Sequence, residues 1–171
     1  SILRLCATPY SPENNHCPYL AISREGGSVE LVSVNEKWKC VAKVEGIKNR
    51  NVDAMAWVCG NCREENVGSI DANKMTSNVY FCKDFELAEA VHSRRRLFGA
   101  SRDGTLFEID FKNKRHKGVI GSGGGAVFCL ANLCPSCTTG EGKCGQMIAA
   151  GCEDGSVRIY KAEDSSENEV N

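Results

Sequence analysis

The 171-residue chain has no apolar run near the ~20 residues that a membrane-crossing helix needs, so it carries no candidate helical span. Its opening residues, Ser1-Ile2-Leu3-Arg4-Leu5, lack the charged stretch and apolar stretch of a secretory signal. They also lack an initiator methionine and begin in strand-like sequence, so the chain is expected to be part of something longer. There is no excess charge of either sign: 21 Lys and Arg against 22 Asp and Glu give a net charge of −1. An electrostatic case for a nucleic-acid partner must therefore rest on local patches. Histidine is scarce, at three residues. No set of His, carboxylate and nucleophile converges in the sequence, which makes an enzyme the least favoured reading. Cysteine, by contrast, is abundant at eleven residues. The odd count and the missing signal point to a reducing compartment, with the thiols serving as small hydrophobes, metal ligands or both. Apolar residues at 42% and charged residues at 25% suffice for an ordinary soluble domain with a core.

Three segments align without gaps: 24–33 (REGGSVELVS), 101–110 (SRDGTLFEID) and 152–161 (CEDGSVRIYK). Asp-Gly or Gly-Gly flanked by β-rich runs signals a hairpin, because Gly reaches positive φ without strain. The turn residues expected to carry it are Gly27, Asp103 with Gly104, and Asp154 with Gly155. Ser or Thr follows and can tie the turn, and apolar residues then recur with period two, as in Val29/Leu31 and Val157/Ile159. A short strand precedes each hairpin, at 19–22, 97–100 and 147–150. A further strand lies upstream, at 2–7, 52–57 and 126–131, and a last one follows two of the units, at 39–44 and 116–120. Four antiparallel strands per unit make a propeller blade. The expected fold is all-β, a propeller fragment of about three four-stranded antiparallel blades over residues 1–162. Blade 1 covers about 1–44 and blade 2 about 50–120, with an insertion at 59–95. Blade 3 covers about 125–162, with an insertion at 133–146. Residues 163–171 read as an acidic disordered tail or a linker. Units spaced by 51 and 77 residues exceed the roughly 40–45 of one blade, and the excess falls between equivalent strands, so both insertions should leave by one face.

These units resemble WD-repeat proteins. The Trp-Asp pair is replaced by Val32-Ser33, Ile109-Asp110 and Tyr160-Lys161, and the usual Gly-His is reduced to Gly46. The ordered series Leu20-Ala21-Ile22-Ser23-Arg24, Val52-Asp53-Ala54-Met55-Ala56-Trp57, Arg96-Leu97-Phe98-Gly99-Ala100, Gly124-Gly125-Ala126-Val127 and Gly151-Cys152-Glu153-Asp154-Gly155-Ser156-Val157 is similar to the N-terminal blades of the cirhin family, nucleolar WD-repeat proteins of the small-subunit processome. The resemblance implies tandem propellers and a non-catalytic scaffold for protein–protein interaction in ribosome biogenesis and rRNA processing. It also implies a nucleolar location, with processome proteins and pre-ribosomal RNA as partners and no membrane or small-molecule substrate. The Cys-bearing insertions depart from that family's pattern, which leaves partner surfaces on their face open. A generic WD-repeat adaptor of another complex, or a zinc-stabilised RNA-binding module, are the alternatives.

Several segments could carry chemistry. Cys59, Cys62, Cys134 and Cys137 form two Cys-x-x-Cys pairs, the usual halves of a tetrahedral Zn²⁺ site. They lie too far apart for a zinc ribbon but open the same loop in neighbouring blades, so either a structural zinc clip or free loop cysteines fits. Cys82, Cys144, His16 and Cys17 lie in the same class of loop. Cys6, Cys40, Cys129 and Cys152 fall in strands and read as core filler. Two basic runs, Arg94-Arg95-Arg96 and Lys112, Lys114, Arg115 and Lys117, could contact RNA or an acidic partner, or could be solvated turns; no aromatic residue interleaves with them. The run Gly121-Ser122-Gly123-Gly124-Gly125 lacks the Lys-Ser/Thr of a phosphate loop and reads as a flexible connector. Residues 83–92 suit a short amphipathic helix.

Overall fold

The computed structural model describes residues 1–8, 19–46, 50–59, 95–133 and 147–162. Strands β1 (Ile2–Ala7), β2 (Tyr19–Arg24), β3 (Val29–Ser33) and β4 (Lys39–Val44) pair antiparallel in chain order as one sheet. A second sheet follows from β5 (Ala54–Cys59), β6 (Arg95–Ala100), β7 (Thr105–Asp110) and β8 (Arg115–Gly121). The third is β9 (Val127–Leu133), β10 (Met147–Cys152) and β11 (Val157–Lys161), three strands among the described residues. The sheets meet through their first strands, β1 on β5 and β5 on β9. Trp57 Nε1 donates to the Cys6 carbonyl at 3.1 Å and Arg4 Nε to the Asp53 carbonyl at 2.6 Å, so β1 and β5 run the same way. The first strands are therefore innermost and β4 and β8 outermost, which is the radial arrangement of propeller blades.

The hairpin sequences explain themselves locally. The Ser101 amide donates to the Thr105 carbonyl at 3.0 Å and the Gly104 amide to the Ser101 carbonyl at 3.1 Å; Cys152, Ser156 and Gly155 repeat the pattern at 2.9 and 3.1 Å. These are three-residue loops closed by a left-handed residue. Gly27, Gly104 and Gly155 take that place, at φ +81°, +83° and +81°. Asp103 and Asp154 keep negative φ and act through their side chains. Asp103 Oδ1 accepts the amide and hydroxyl of Thr105 at 3.0 and 2.5 Å, and Asp154 Oδ1 those of Ser156 at 2.9 and 2.6 Å.

Period-two burial packs the sheets face to face. Tyr19, Ala21, Val29 and Leu31 of the first sheet cover Trp57, Leu97, Phe107 and Ile109 of the second. The second sheet's other side, Ala54, Ala100 and Leu106, covers Val127, Ala150 and Cys152 of the third. Val29 and Leu106 are thus buried by the next sheet. Val157, at the same place in the third unit, is 71% exposed, and Ile159 beside it is 61% exposed.

Several expectations change. The reading of Val52–Trp57 as a strand starts two residues early. The Val52 carbonyl accepts the Ser23 hydroxyl at 2.9 Å and the Asp53 carboxylate accepts the Arg102 amide at 3.1 Å, so both are spent on hairpin ends. Cys152 is buried and Cys6 half-buried, but Cys40 and Cys129 are exposed and fill no core: one lies on an outermost strand, the other on the uncovered side of the third sheet. The glycine run after β8 is a packed connector. The Ser122 amide donates to the Gly104 carbonyl at 2.7 Å, the Ser122 hydroxyl to the Gly125 carbonyl at 2.6 Å, and the Asp154 amide to the Gly124 carbonyl at 3.2 Å. A Cβ on Gly124 would stand 2.8 Å from Cys152 Cβ. The expected helix at 83–92 and the acidic tail at 163–171 lie outside the described residues.

A Cβ on Gly27 would meet the Arg50 carbonyl oxygen at 1.9 Å, one on Gly104 the Gly125 carbonyl oxygen at 2.8 Å, and one on Gly155 nothing within 4 Å. Each Gly→Ala change costs roughly 1–2 kcal/mol for the left-handed backbone. Urea unfolding should therefore rank the losses Gly27→Ala above Gly104→Ala above Gly155→Ala. Equal losses at all three would refute the close approach.

Candidate functional site

Each sheet has two ends with different loops. At one end lie the repeated hairpin turns and the connectors between sheets. At the other, the chain leaves the first strand, re-enters the second, and later turns from the third strand to the fourth. Register fixes the second end: Ala7 pairs with Leu20 and Ser33 with Lys39, Cys59 with Arg95 and Asp110 with Arg115, and Leu133 with Met147. Both Cys-bearing insertions therefore attach at this end, on the neighbouring innermost strands β5 and β9.

The hairpin end neutralises its own charge. Arg50 Nε donates to Asp103 Oδ2 at 2.8 Å, Arg102 lies 3.5 Å from Asp53, and Arg158 binds Asp154 at 3.0 Å. The hydroxyl and amide of Ser156, with Arg158, pull the Asp154 carboxyl down to about 2. Burial pushes Asp103 up, but the Thr105 and Arg50 hydrogen bonds outweigh it and leave its pKa below the usual carboxylate value.

Among the described residues, the insertion end shows fewer such pairs. In the β7–β8 turn, buried Asp110 accepts the Asn113 amide and side chain at 3.0 and 2.7 Å and faces Arg115 at 3.9 Å. Lys112, Lys114 and Arg115 are exposed around it, and Lys117 is half-buried. His116, inside this run, is turned inward. Its ring stacks on Phe107 with centroids 4.5 Å apart, and burial together with the nearby Arg50 charge lowers its pKa. The arginine run divides: Arg94 lies outside the described residues, and Arg95 begins β6. Arg96 is internal, against its reading as a contact residue. It holds Glu108 with two hydrogen bonds, at 3.0 and 2.7 Å, and donates to the Ala162 carbonyl at 3.2 Å, with its guanidinium 4.9 Å over the Phe98 ring. The pair's side chains are only 12% and 8% exposed, so Arg96 joins the second sheet to the third. Of the four candidate zinc ligands, Cys59 ends β5, and Cys62, Cys134 and Cys137 lie outside the described residues. No group of three His, Cys, Asp or Glu able to hold a metal occurs among the described residues.

The structure adds a residue that the sequence reading passed over. Trp38 stands in the β3–β4 turn, the counterpart of the basic turn one sheet earlier, and is 62% exposed. Its neighbours Lys37 and Lys39 are exposed as well. The Lys-Trp-Lys triplet at that hairpin position was the available signal.

No family model matches the chain. Solved structures align over nearly all of it. A chain of an active polycomb repressive complex 2 in the basal state gives a TM-score of 0.59 at 13% identity, covering 94% of this chain and 27% of that one. A humanized mutant of the Chaetomium thermophilum complex with the inhibitor GSK126 gives 0.61 at 13% identity, covering 98% and 29%. The fold is that of three blades of a WD-repeat β-propeller. Among curated proteins, the U3 small nucleolar RNA-associated protein 4 homologs of Mus musculus and Homo sapiens are 23% and 24% identical over 148 residues. That match takes in 86% of this chain but spans only 15% of either relative.

Removing one partner of the Arg96–Glu108 pair leaves a buried charge, which costs about 3–5 kcal/mol. Arg96→Ala and Glu108→Ala should each unfold at much lower urea, while Arg96→Met with Glu108→Leu together recover most of the loss. A zinc clip on the four cysteines predicts one zinc per chain by mass spectrometry, lost in Cys59→Ser with Cys134→Ser. Metal well below one per chain removes that candidate.

Proposed function

We propose that the chain is part of a non-catalytic WD-repeat scaffold acting in small ribosomal subunit biogenesis and pre-rRNA processing, in the nucleolus. The observation carrying this reading is the match to the U3 small nucleolar RNA-associated protein 4 homologs along most of the chain. Cirhin is that protein, and the ordered series of blade residues resembles its N-terminal blades. The physical arrangement is consistent with the reading. Blades packed through their first strands present loop ends as broad surfaces on which partners can dock. Other proteins of a large assembly are the primary partners, and pre-ribosomal RNA is a second class.

The polycomb structures favour a broader reading, since they place chains of the same fold in an unrelated assembly. In that reading the chain serves as an adaptor of some other complex, and the fold alone does not choose between them.

Affinity purification of the tagged protein from nuclear extract separates the two. The expected result is enrichment of small-subunit assembly proteins together with U3 RNA, resistant to moderate salt. Enrichment of another complex with neither of these would overturn the ribosomal assignment and leave the adaptor.

A further inference from the structure

We propose that the insertion-end face binds single-stranded RNA, with Trp38 as a stacking platform and Lys37, Lys114 and Arg115 as phosphate contacts. The proposal deepens the scaffold reading and rests on it for the class of partner, but its argument comes from the two third-to-fourth-strand turns. Trp57, the chain's other tryptophan, is buried with its Nε1 hydrogen-bonded, as a structural indole should be. Trp38 instead leaves most of its surface in water. The backbone is strained to hold it there. Lys37 and Trp38 both have left-handed φ, +54° and +64°, whereas the corresponding turn of the second sheet needs one such residue, Lys114 at +53°. That turn closes between Asp110 and Arg115, while the first closes between Ser33 and Lys39 and is one residue longer. Trp38 is the added residue. Non-glycine residues in this conformation cost about 1–2 kcal/mol each, and such strain concentrates where a side chain must be presented.

The charges around it point the same way. Glu36 is engaged by Lys39 at 3.8 Å, and Asp110 is buried and taken up by Asn113 and Arg115. Lys37 and Lys114 have no carboxylate partner among the described residues. The equivalent turns of two adjacent blades thus carry exposed cations at the same end of their sheets, and the first adds a flat, exposed π-face, the combination used to hold unpaired bases and their phosphates. An acidic peptide would use the cations and leave the indole without a role. A duplex keeps its base faces stacked on one another and would gain nothing from Trp38.

The test is a fluorescence-anisotropy titration of the 171-residue chain with labelled twelve-nucleotide oligouridine across a salt series. Trp38→Ala should weaken binding by roughly 5- to 100-fold, and Trp38→Phe should keep most of it. Trp38 is exposed, so neither change threatens the fold. Lys114→Gln with Arg115→Gln should lower the slope of log affinity against log salt by about 1.4. Unchanged affinity in Trp38→Ala overturns the proposal. So does equal Trp38 dependence for an RNA duplex, or displacement by polyglutamate that then binds the Trp38→Ala chain just as tightly, the mark of an acidic protein partner. Purifying the Trp38→Ala protein from nuclear extract keeps the two readings apart: small-subunit proteins should still accompany it whether or not the RNA contact exists.

Discussion

Each passage of the chain from one sheet to the next carries the connector over the hairpin turn of the sheet just completed, at backbone-to-backbone distance. At the first seam the Arg50 carbonyl rests where a Gly27 side chain would begin, and at the second the Gly125 carbonyl does the same over Gly104. The residue beneath must therefore lack a side chain, and the turn separately demands left-handed backbone. With turn and connector locked, neighbouring sheets cannot slide, and the cores between them follow from period-two alternation. The two seams fill the remaining space differently. Arg50 comes from the first connector and reaches Asp103. The second connector is glycine at the matching places, and Arg158 of β11 occupies the room above Gly123 and Gly124 while binding Asp154. A guanidinium sits at each seam although it arises from a different part of the unit.

The seams also decide where charge is available. Cations at the hairpin end are drawn into fixed pairs because the connectors need them there. At the opposite end the turns close with Ser33 and buried Asp110, which accept the Glu36 and Asn113 amides. Beyond them, Lys37 and Lys114 have no carboxylate partner among the described residues. Among the described residues, pairing of charge is thus concentrated at the hairpin end.

The parts of this architecture legible in the sequence were those set by neighbouring residues. A Gly-bearing turn, a hydroxyl behind it and alternating apolar residues specify a hairpin within ten positions, so all three repeats and the strand they share with an upstream partner could be read directly. What depends on distant residues could not. The start of β5 moved because the Val52 carbonyl and the Asp53 carboxylate serve hairpins far away in sequence. Arg96 looked like a surface cation because its partner Glu108 belongs to another strand. The glycine connector looked slack because its close neighbours, Cys152 and Arg158, lie in the following blade. Trp38 was read past because only the fold shows its turn to be the equivalent of the basic one in the next sheet.

The two outer sides of this three-sheet stack do not match each other. The third sheet ends in bare Val157 and Ile159, whereas the first carries the Arg24–Glu30 ion pair at 2.7 Å beside exposed Ile2 and Leu5. Each outer side therefore keeps aliphatic surface in water that the face of a neighbouring sheet would bury.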